Sequence, residues 1–510
     1  MSAGGSGSRV IKNTGILYVR MFITVGISLY STRLVLNGLG VTDYGVYTLV
    51  SGVIVMISFL NSALSTSTQR YLSFYQGRKN LELQKTVFTN SLLLHLLMGI
   101  GIVIALEIAG LFLFHGFLNI PVDRLSSATL IYHCMSLTVF FSFITVPFSG
   151  LLISHENMLL GAIVNIVEVC LRLVIALSLY LITSDKLIFY GCAMAMVSIV
   201  SLVLYVIFCK RNYDECSFRI FKNVKKEMMK ELSAFAGWNL FGAACGVSRS
   251  QGMAIILNLF FGSVINAAYG IANQVSAQLN FFSATMLQAI NPQIMKSEGA
   301  GDRPRMLRLS MMASKFGFFL LAILAIPCIF EMPAILHLWL KNVPDYTVVF
   351  CDLMLIGIMT NQLTIGLQSA FQATGEIKLY QIIVGSVLLL NLPVAYYLLH
   401  SGKPAYSVLI SYIIIEMIGC CIRIYLLRII GGLSINEYLA KVLLKQVFPV
   451  ISIILTAYLM TSLIHFYWRF LLTIPLSMMV FLASIYFTGL CEDEKIILNG
   501  LLVKFKNKFI

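Results

Sequence analysis

The sequence predicts an all-α polytopic membrane protein of about fourteen transmembrane helices, and three observations carry that prediction. Of its 510 residues 59% are hydrophobic and only 11% charged, whereas soluble domains carry about 25% charged residues. Apolar runs of the roughly 20 residues that span a bilayer as helix recur from end to end. They are much longer than the roughly 10-residue alternating strands of a membrane barrel.

In chain order, residues 1–12 read as a disordered Gly/Ser-bearing tail with no cleavable signal. The first helix, 13–36, is apolar from Ile16 to Leu36 apart from Arg20 and Arg33. A turn rich in Gly, Asn and Asp follows at 37–43, suited to ending a helix. The second helix, 44–74, carries a polar stripe of Ser58, Asn61, Ser65, Thr68 and Gln69. Further segments fall near 86–115, 127–153, 159–183 and 187–209, completing a six-helix N-lobe over 13–209. A basic cytoplasmic connector, 210–232, sets Phe218, Ile220, Phe221 and Val224 among lysines and is expected to lie at the membrane surface as an amphipathic helix. The C-lobe, 233–428, holds helices near 233–261, 266–295, 308–331, 346–374, 379–400 and 405–428. Helices thirteen and fourteen fill 446–490, before a basic tail at 491–510.

Lys and Arg set the orientation. With the N-terminus in the cytoplasm, 27 of the 36 fall on the inside and 5 outside; Arg20, Arg33, Arg172 and Arg249 lie within helices. The net charge of +14 is mostly this bias and implies no nucleic-acid partner. The eleven cysteines form no CxxC pair and no His/Cys cluster at metal spacing, and six lie inside apolar runs. They read as packing residues, with no disulfide and no metal.

A weak internal repeat divides the first twelve helices. Tyr44-Gly45-Val46 returns 225 residues on as Tyr269-Gly270-Ile271. Gly77-Arg78-Lys79-Asn80 finds Gly301-Asp302-Arg303-Pro304, and Leu118-Asn119-Ile120-Pro121 finds Leu340-Lys341-Asn342-Val343-Pro344. His155-Glu156-Asn157 finds Gly375-Glu376-Ile377. Matches in constant order predict two pseudo-symmetric six-helix lobes as parallel repeats.

Asn13-Thr14, Arg33 to Leu36, Leu39-Gly40-Val41-Thr42-Asp43-Tyr44-Gly45-Val46-Tyr47 and Thr68-Gln69-Arg70-Tyr71 resemble the start of bacterial Wzx-type polysaccharide flippases. These belong to the MOP superfamily, with the MATE multidrug exporters and the lipid II flippase MurJ. The resemblance implies a MATE-like V of two lobes in the bacterial inner membrane, with both termini cytoplasmic. The implied activity is flipping an undecaprenyl-diphosphate-linked oligosaccharide (an O-antigen, capsule or exopolysaccharide unit) by alternating access. The implied coupling ion is H+ or Na+, with no other cofactor. The expected partners are the lipid-linked glycan, membrane lipids and polysaccharide polymerase or chain-length proteins, around a monomer.

Arg20 and Arg249 lie deep in the first and seventh helices, equivalent in the repeat, and suit a cationic cavity for the diphosphate. Each could instead pair with a carboxylate and hold helices together. Arg33 could reach the interface, and Arg70 could anchor the inner end or meet the head group. Asn61, with Gln274 and Gln278 on the eighth helix, could line a sugar path or bond across helices. Glu416, Glu168 and Asp352 are ion-coupling candidates, although Glu168 and Arg172, four apart, could form a structural pair. His95 and His133 read as packing residues, and Pro147, Pro292, Pro327 and Pro393 as kinks.

A MATE-like exporter of cations is the rival within the same fold, but helix one has two arginines and no acid. A membrane enzyme is disfavoured by the short outer loops and by the lack of a catalytic or phosphate-loop constellation. A scaffold without transport would need neither buried arginines nor matched polar stripes.

Overall fold

The computed structural model describes residues 3–55, 58–114, 120–217, 223–340, 342–464, 466, 468–496 and 499–500. Phe218, Ile220 and Phe221 of the connector, Leu118, Asn119 and Lys341 of the repeat, and the tail from 501 lie outside them. The described chain is helical throughout, with no strand. Among the described residues, ten helices are long and apolar enough to cross a bilayer, or eleven if one bent pair counts as a span. The expected count of fourteen treats Lys226–Gly299 as two helices, and Gly262 breaks it there with φ 78° and ψ −166°. That backbone is open essentially to glycine alone.

The chain divides into two compact units, Asn13–Leu240 and Phe241–Ile510 with Met1–Lys12. The division falls inside the long helix, so the connector belongs to the first unit. The expected tail is helical from Ala3, continuous with α1 (Ala3–Leu39). Once a long apolar helix exists, adding residues to its end needs no new nucleation.

In the first unit, α1 ends at Gly40, whose φ of 82° turns the chain into α2 (Val41–Val55). There follow α3 (Ser58–Gly77), α4 (Leu81–Phe112), α5 (Leu125–Ser154), α6 (Met158–Ser178) and α7 (Lys186–Asn212). Central α5 packs on α2, α3, α4 and α7, around a core that includes Val50, Ile131, Tyr132, Phe143 and Leu187. At one end Arg124 bridges Asp43 (2.9 Å) and Asp185 (3.1 Å). Asp185 also caps α7 through the Leu187 and Ile188 amides.

Of the connector, Phe218, Ile220 and Phe221, on which the surface helix was expected, lie outside the described residues, and Lys226 to Leu232 already belong to the helix Lys226–Gly299. Residues 213–217 are turn and coil, and Glu215 and Cys216 are buried. Asn90 of α4 donates to the Asn223 carbonyl and accepts from the Lys225 amide. Glu215 meets His155 at 3.3 Å, and His155 stacks on Tyr213. Unpaired connector backbone next to α4 is better satisfied by these side chains than by lipid.

The second unit contains the rest of α8 (Lys226–Gly299), then α9 (Arg303–Phe330), α10 (Met332–Leu340), α11 (Thr347–Gln362) and α12 (Ile365–Thr374). It continues with α13 (Ile377–Leu389), α14 (Asn391–His400), α15 (Ser407–Gly431), the short α16 (Ile435–Tyr438), α17 (Leu444–Leu463) and α18 (Phe470–Ser484). Asn80 caps α4 and Asp302 caps α9 through equivalent side-chain bonds, two residues out of step with the repeat as aligned on Gly77 and Gly301. Pro147 and Pro327 sit inside continuous helices, and Pro292 lies in the helix that Gly262 breaks. Of the four expected kinks only Pro393 adjoins a break, between α13 and α14.

One apolar cluster contains Met253, Leu257, Phe350, Leu409 and Tyr412. A second contains Ile294, Phe371, Tyr380, Leu427 and Tyr438. Along α15 these clusters flank Glu416. A third, with Phe319, Ile453 and Phe481, seats α17 and α18 on α9.

Candidate functional site

The site is built on one face of α15 and a break in its neighbour. Tyr412, Glu416 and Arg423 lie four and seven residues apart, a spacing that aligns them on one side of a helix. Facing them, α11 and α12 meet at a bend of 41°. The bend is held by side chains: Tyr438 donates its hydroxyl to the Leu363 carbonyl, and Ser314 Oγ accepts from the Gly366 amide at 3.0 Å. Gly366 is needed there because a Cβ would run into the Ser310 carbonyl.

Glu416 is 0% exposed. Its Oε1 accepts from Asn361 at 2.5 Å and Arg423 Nη2 at 3.0 Å, and its Oε2 accepts from Arg249 Nη1 at 2.9 Å. Arg423 Nη1 also donates to Thr364 Oγ1 at 3.2 Å, at the break. The Arg249 guanidinium lies 4.7 Å from the centre of the Tyr412 ring, a cation–π distance. Two guanidiniums share one carboxylate, so the group carries one uncompensated positive charge. Chemically it can receive an oxyanion.

The other predicted residues are dispersed. Arg20 is half-buried near Tyr205, with no carboxylate in ion-pair contact among the described residues. Arg33 is exposed. Arg70 does not face open space: it is 6% exposed, with its guanidinium 4.4 Å from the Tyr71 ring, 4.5 Å from Phe74 and 5.6 Å from Phe235. Rings that attract a cation also close it off. Asn61 is half-buried with Oδ1 unpaired, while Thr68 of the same stripe bonds to Ser91 and the adjacent Ser67 to the Leu232 carbonyl.

Gln274 and Gln278 are exposed on one side of α8. Asn280 and Ser283 instead bond to Gln362, and Asn291 to Ser369. The polar stripe therefore splits into an open part and a packed part. Glu168 is bonded to Arg172. Asp352 is partly buried, and its Oδ1 has no partner. His133 pairs with Glu107 at 2.7 Å, and His95 is buried against the Ser91 carbonyl. Among the described residues no group of three or more His, Cys, Asp or Glu is placed to hold a metal.

Sequence reasoning missed Arg423 and Asn361. Arg423 was counted with the basic residues at the inner end of its helix, yet its spacing of seven from Glu416 was a legible sign of a shared face.

A family model described as "Polysaccharide biosynthesis protein" matches residues 10–298, more than half of the chain. The chain belongs to the polysaccharide biosynthesis protein family. A relative of this family member is an uncharacterized membrane protein, EpsK of Bacillus subtilis (strain 168), 22% identical over 302 residues. The match covers 59% of each chain, so it spans less than two thirds of that relative. Among solved structures, an outward-facing multidrug resistance MATE family transporter of the MOP superfamily has a TM-score of 0.70 at 16% identity. It covers 84% of this chain and 98% of the other. A MOP superfamily transporter from Pyrococcus furiosus Vc1 (DSM3638), described by the reverse polarity of its binding pocket, also reaches 0.70 at 16% identity, covering 86% and 99%. This polysaccharide biosynthesis protein thus has the helical fold of MOP-superfamily transporters and is a multi-pass membrane protein.

Proposed function

We propose that the protein flips a polyprenyl-diphosphate-linked oligosaccharide from the cytoplasmic to the outer leaflet of a bacterial inner membrane, with both termini cytoplasmic. The observation that carries this reading is the Arg249–Glu416–Arg423 group, whose two cations share one anion inside a membrane helix bundle. A charged group at such depth is costly unless it has work to do. A guanidinium fork matches phosphate oxygens. Arg20, with no acidic partner among the described residues, is a further cation. Asn61, Gln274 and Gln278 keep amide groups for sugar hydroxyls. Of the three ion-coupling candidates, Asp352 has no cationic partner among the described residues and is the place for H+ or Na+.

The experiment is complementation of a flippase-deficient strain, reading surface glycan at matched expression. Arg20→Ala and Arg249→Ala each reduce glycan, while Arg33→Ala does not. Full glycan in both of the first two variants would overturn the reading. Drug export, in line with the multidrug resistance named for the MATE neighbour, is the second reading, and the unpaired carboxylate oxygen of Asp352 favours a cationic cargo. Drug resistance without glycan rescue would establish it.

A further inference from the structure

The two arginines on Glu416 are not equivalent. Arg423 comes from the same helix as Glu416, has 4% of its side chain exposed, and is tied down by Thr364 as well as by the carboxylate. Arg249 arrives from α8, has 15% of its side chain exposed, and bonds only to Oε2. Its guanidinium has five N–H donors, of which this bond uses one. The Tyr412 face beneath it is a support that does not depend on which anion the donors hold.

The charge count before and after Arg249 departs is decisive. With Arg249 in place, the group is two cations on one anion. If Arg249 turns to another oxyanion, Glu416 still has Arg423 and Asn361 on Oε1, so a neutral buried pair remains. Had Arg249 been the sole partner, its departure would strand a buried carboxylate, which is strongly unfavourable. The extra arginine removes that obstacle.

We infer that Glu416 is a built-in placeholder anion, holding Arg249 until a phosphate oxyanion of the lipid-linked substrate displaces it from Oε2. The inference rests on the transport reading above. It assigns Glu416 as a positioning residue: it sets how readily Arg249 is surrendered, and so tunes affinity, without touching the substrate. The ligand class is a diphosphate head group.

The test is binding of a short-chain polyprenyl diphosphate to the full-length protein in detergent, with thermal unfolding of the same samples as a folding control. Glu416→Gln removes the competing charge and tightens binding by roughly tenfold, the size of one charge-assisted hydrogen bond that no longer competes. Arg249→Ala weakens binding at least as much. If Glu416→Gln does not fold, Glu416→Asp withdraws the carboxylate from Arg249 while keeping its charge, and is expected to tighten binding in the same way. Unchanged or weaker binding in the Glu416 variant, with Arg249→Ala still defective, overturns the placeholder but leaves the anion site standing. Unchanged binding in Arg249→Ala overturns the anion site itself. Inorganic pyrophosphate competing with the lipid supports recognition of the head group. A gain seen only with phosphatidylglycerol micelles would make the ligand a bilayer lipid and overturn the assignment.

Discussion

Arg469 grips Glu331 in a two-pronged pair, Nε to Oε1 at 2.9 Å and Nη2 to Oε2 at 3.1 Å. Thr473 adds a hydrogen bond to Oε1 at 2.8 Å, and Arg469 Nη1 takes up the carbonyls of Thr461 and Ile464. One side chain thus closes the end of α17 and fixes the start of α18 to the end of α9.

Arg469→Ala leaves Glu331, 1% exposed, buried without its cation. The expected cost is about 3–5 kcal/mol, seen as a large fall in unfolding temperature in detergent. Arg469→Lys recovers only part of it, because a lysine cannot form the fork.

Arg423→Leu should destabilise by less, about 1–3 kcal/mol, because Arg249 and Asn361 still hold Glu416 while Oε1 and Thr364 lose a donor. Glu416→Leu should cost more, about 3–5 kcal/mol, because it leaves both guanidiniums without their anion. A Glu416→Leu variant no less stable than Arg423→Leu would show that the unpaired charge is not the origin of the cost.

Gly262→Ala forces a side chain into a conformation costing about 1–3 kcal/mol. Gly366→Ala instead drives a Cβ into the Ser310 carbonyl and should be the more damaging of the two. Comparing their unfolding temperatures separates strain in the backbone from a clash between helices.

Acid should loosen the connector. Burial opposes ionisation of Glu215, but the contact with His155, a backbone hydrogen bond and the nearby Lys85 together outweigh it and hold the carboxyl below its ordinary 4.5. A depressed carboxylate stabilises fully above about pH 4.5, and the contribution is lost as pH falls through the lower folded value. Wild type should therefore lose more unfolding temperature between pH 6 and pH 4 than Glu215→Gln does.

Asp352→Asn keeps the shape of a side chain whose buried oxygen has no partner. Stability should change by less than about 1 kcal/mol, while the dependence of glycan rescue on the ion gradient should disappear. Rescue that still follows the gradient would remove Asp352 as the coupling group.

Much of the fold was legible because hydrophobic runs and glycine punctuation act locally. Gly40 and Gly262 end helices where the sequence suggested turns, and Asn80 and Asp302 cap helices within the two matched inside loops. The site was half legible. Arg249 and Glu416 each stood out as a charge in an apolar run, but nothing local joins residues 167 positions apart. Arg423 resembled any basic residue near a helix end, and only the α11–α12 bend makes it a buried partner. The surroundings of Arg70 were not legible for the same reason: the cage of Tyr71, Phe74 and Phe235 depends on a ring from a distant helix.

A surplus cation held inside a bilayer is also a sensor of voltage. Whatever share of the transmembrane field the Arg249–Glu416–Arg423 group crosses, each elementary charge gains or loses about 2.3 kcal/mol per 100 mV. Carrying a diphosphate outward, the loaded group would be net negative and would move downhill in an inside-negative cell; returning empty and positive, it would move downhill again. Both strokes of the cycle would then draw on the resting potential.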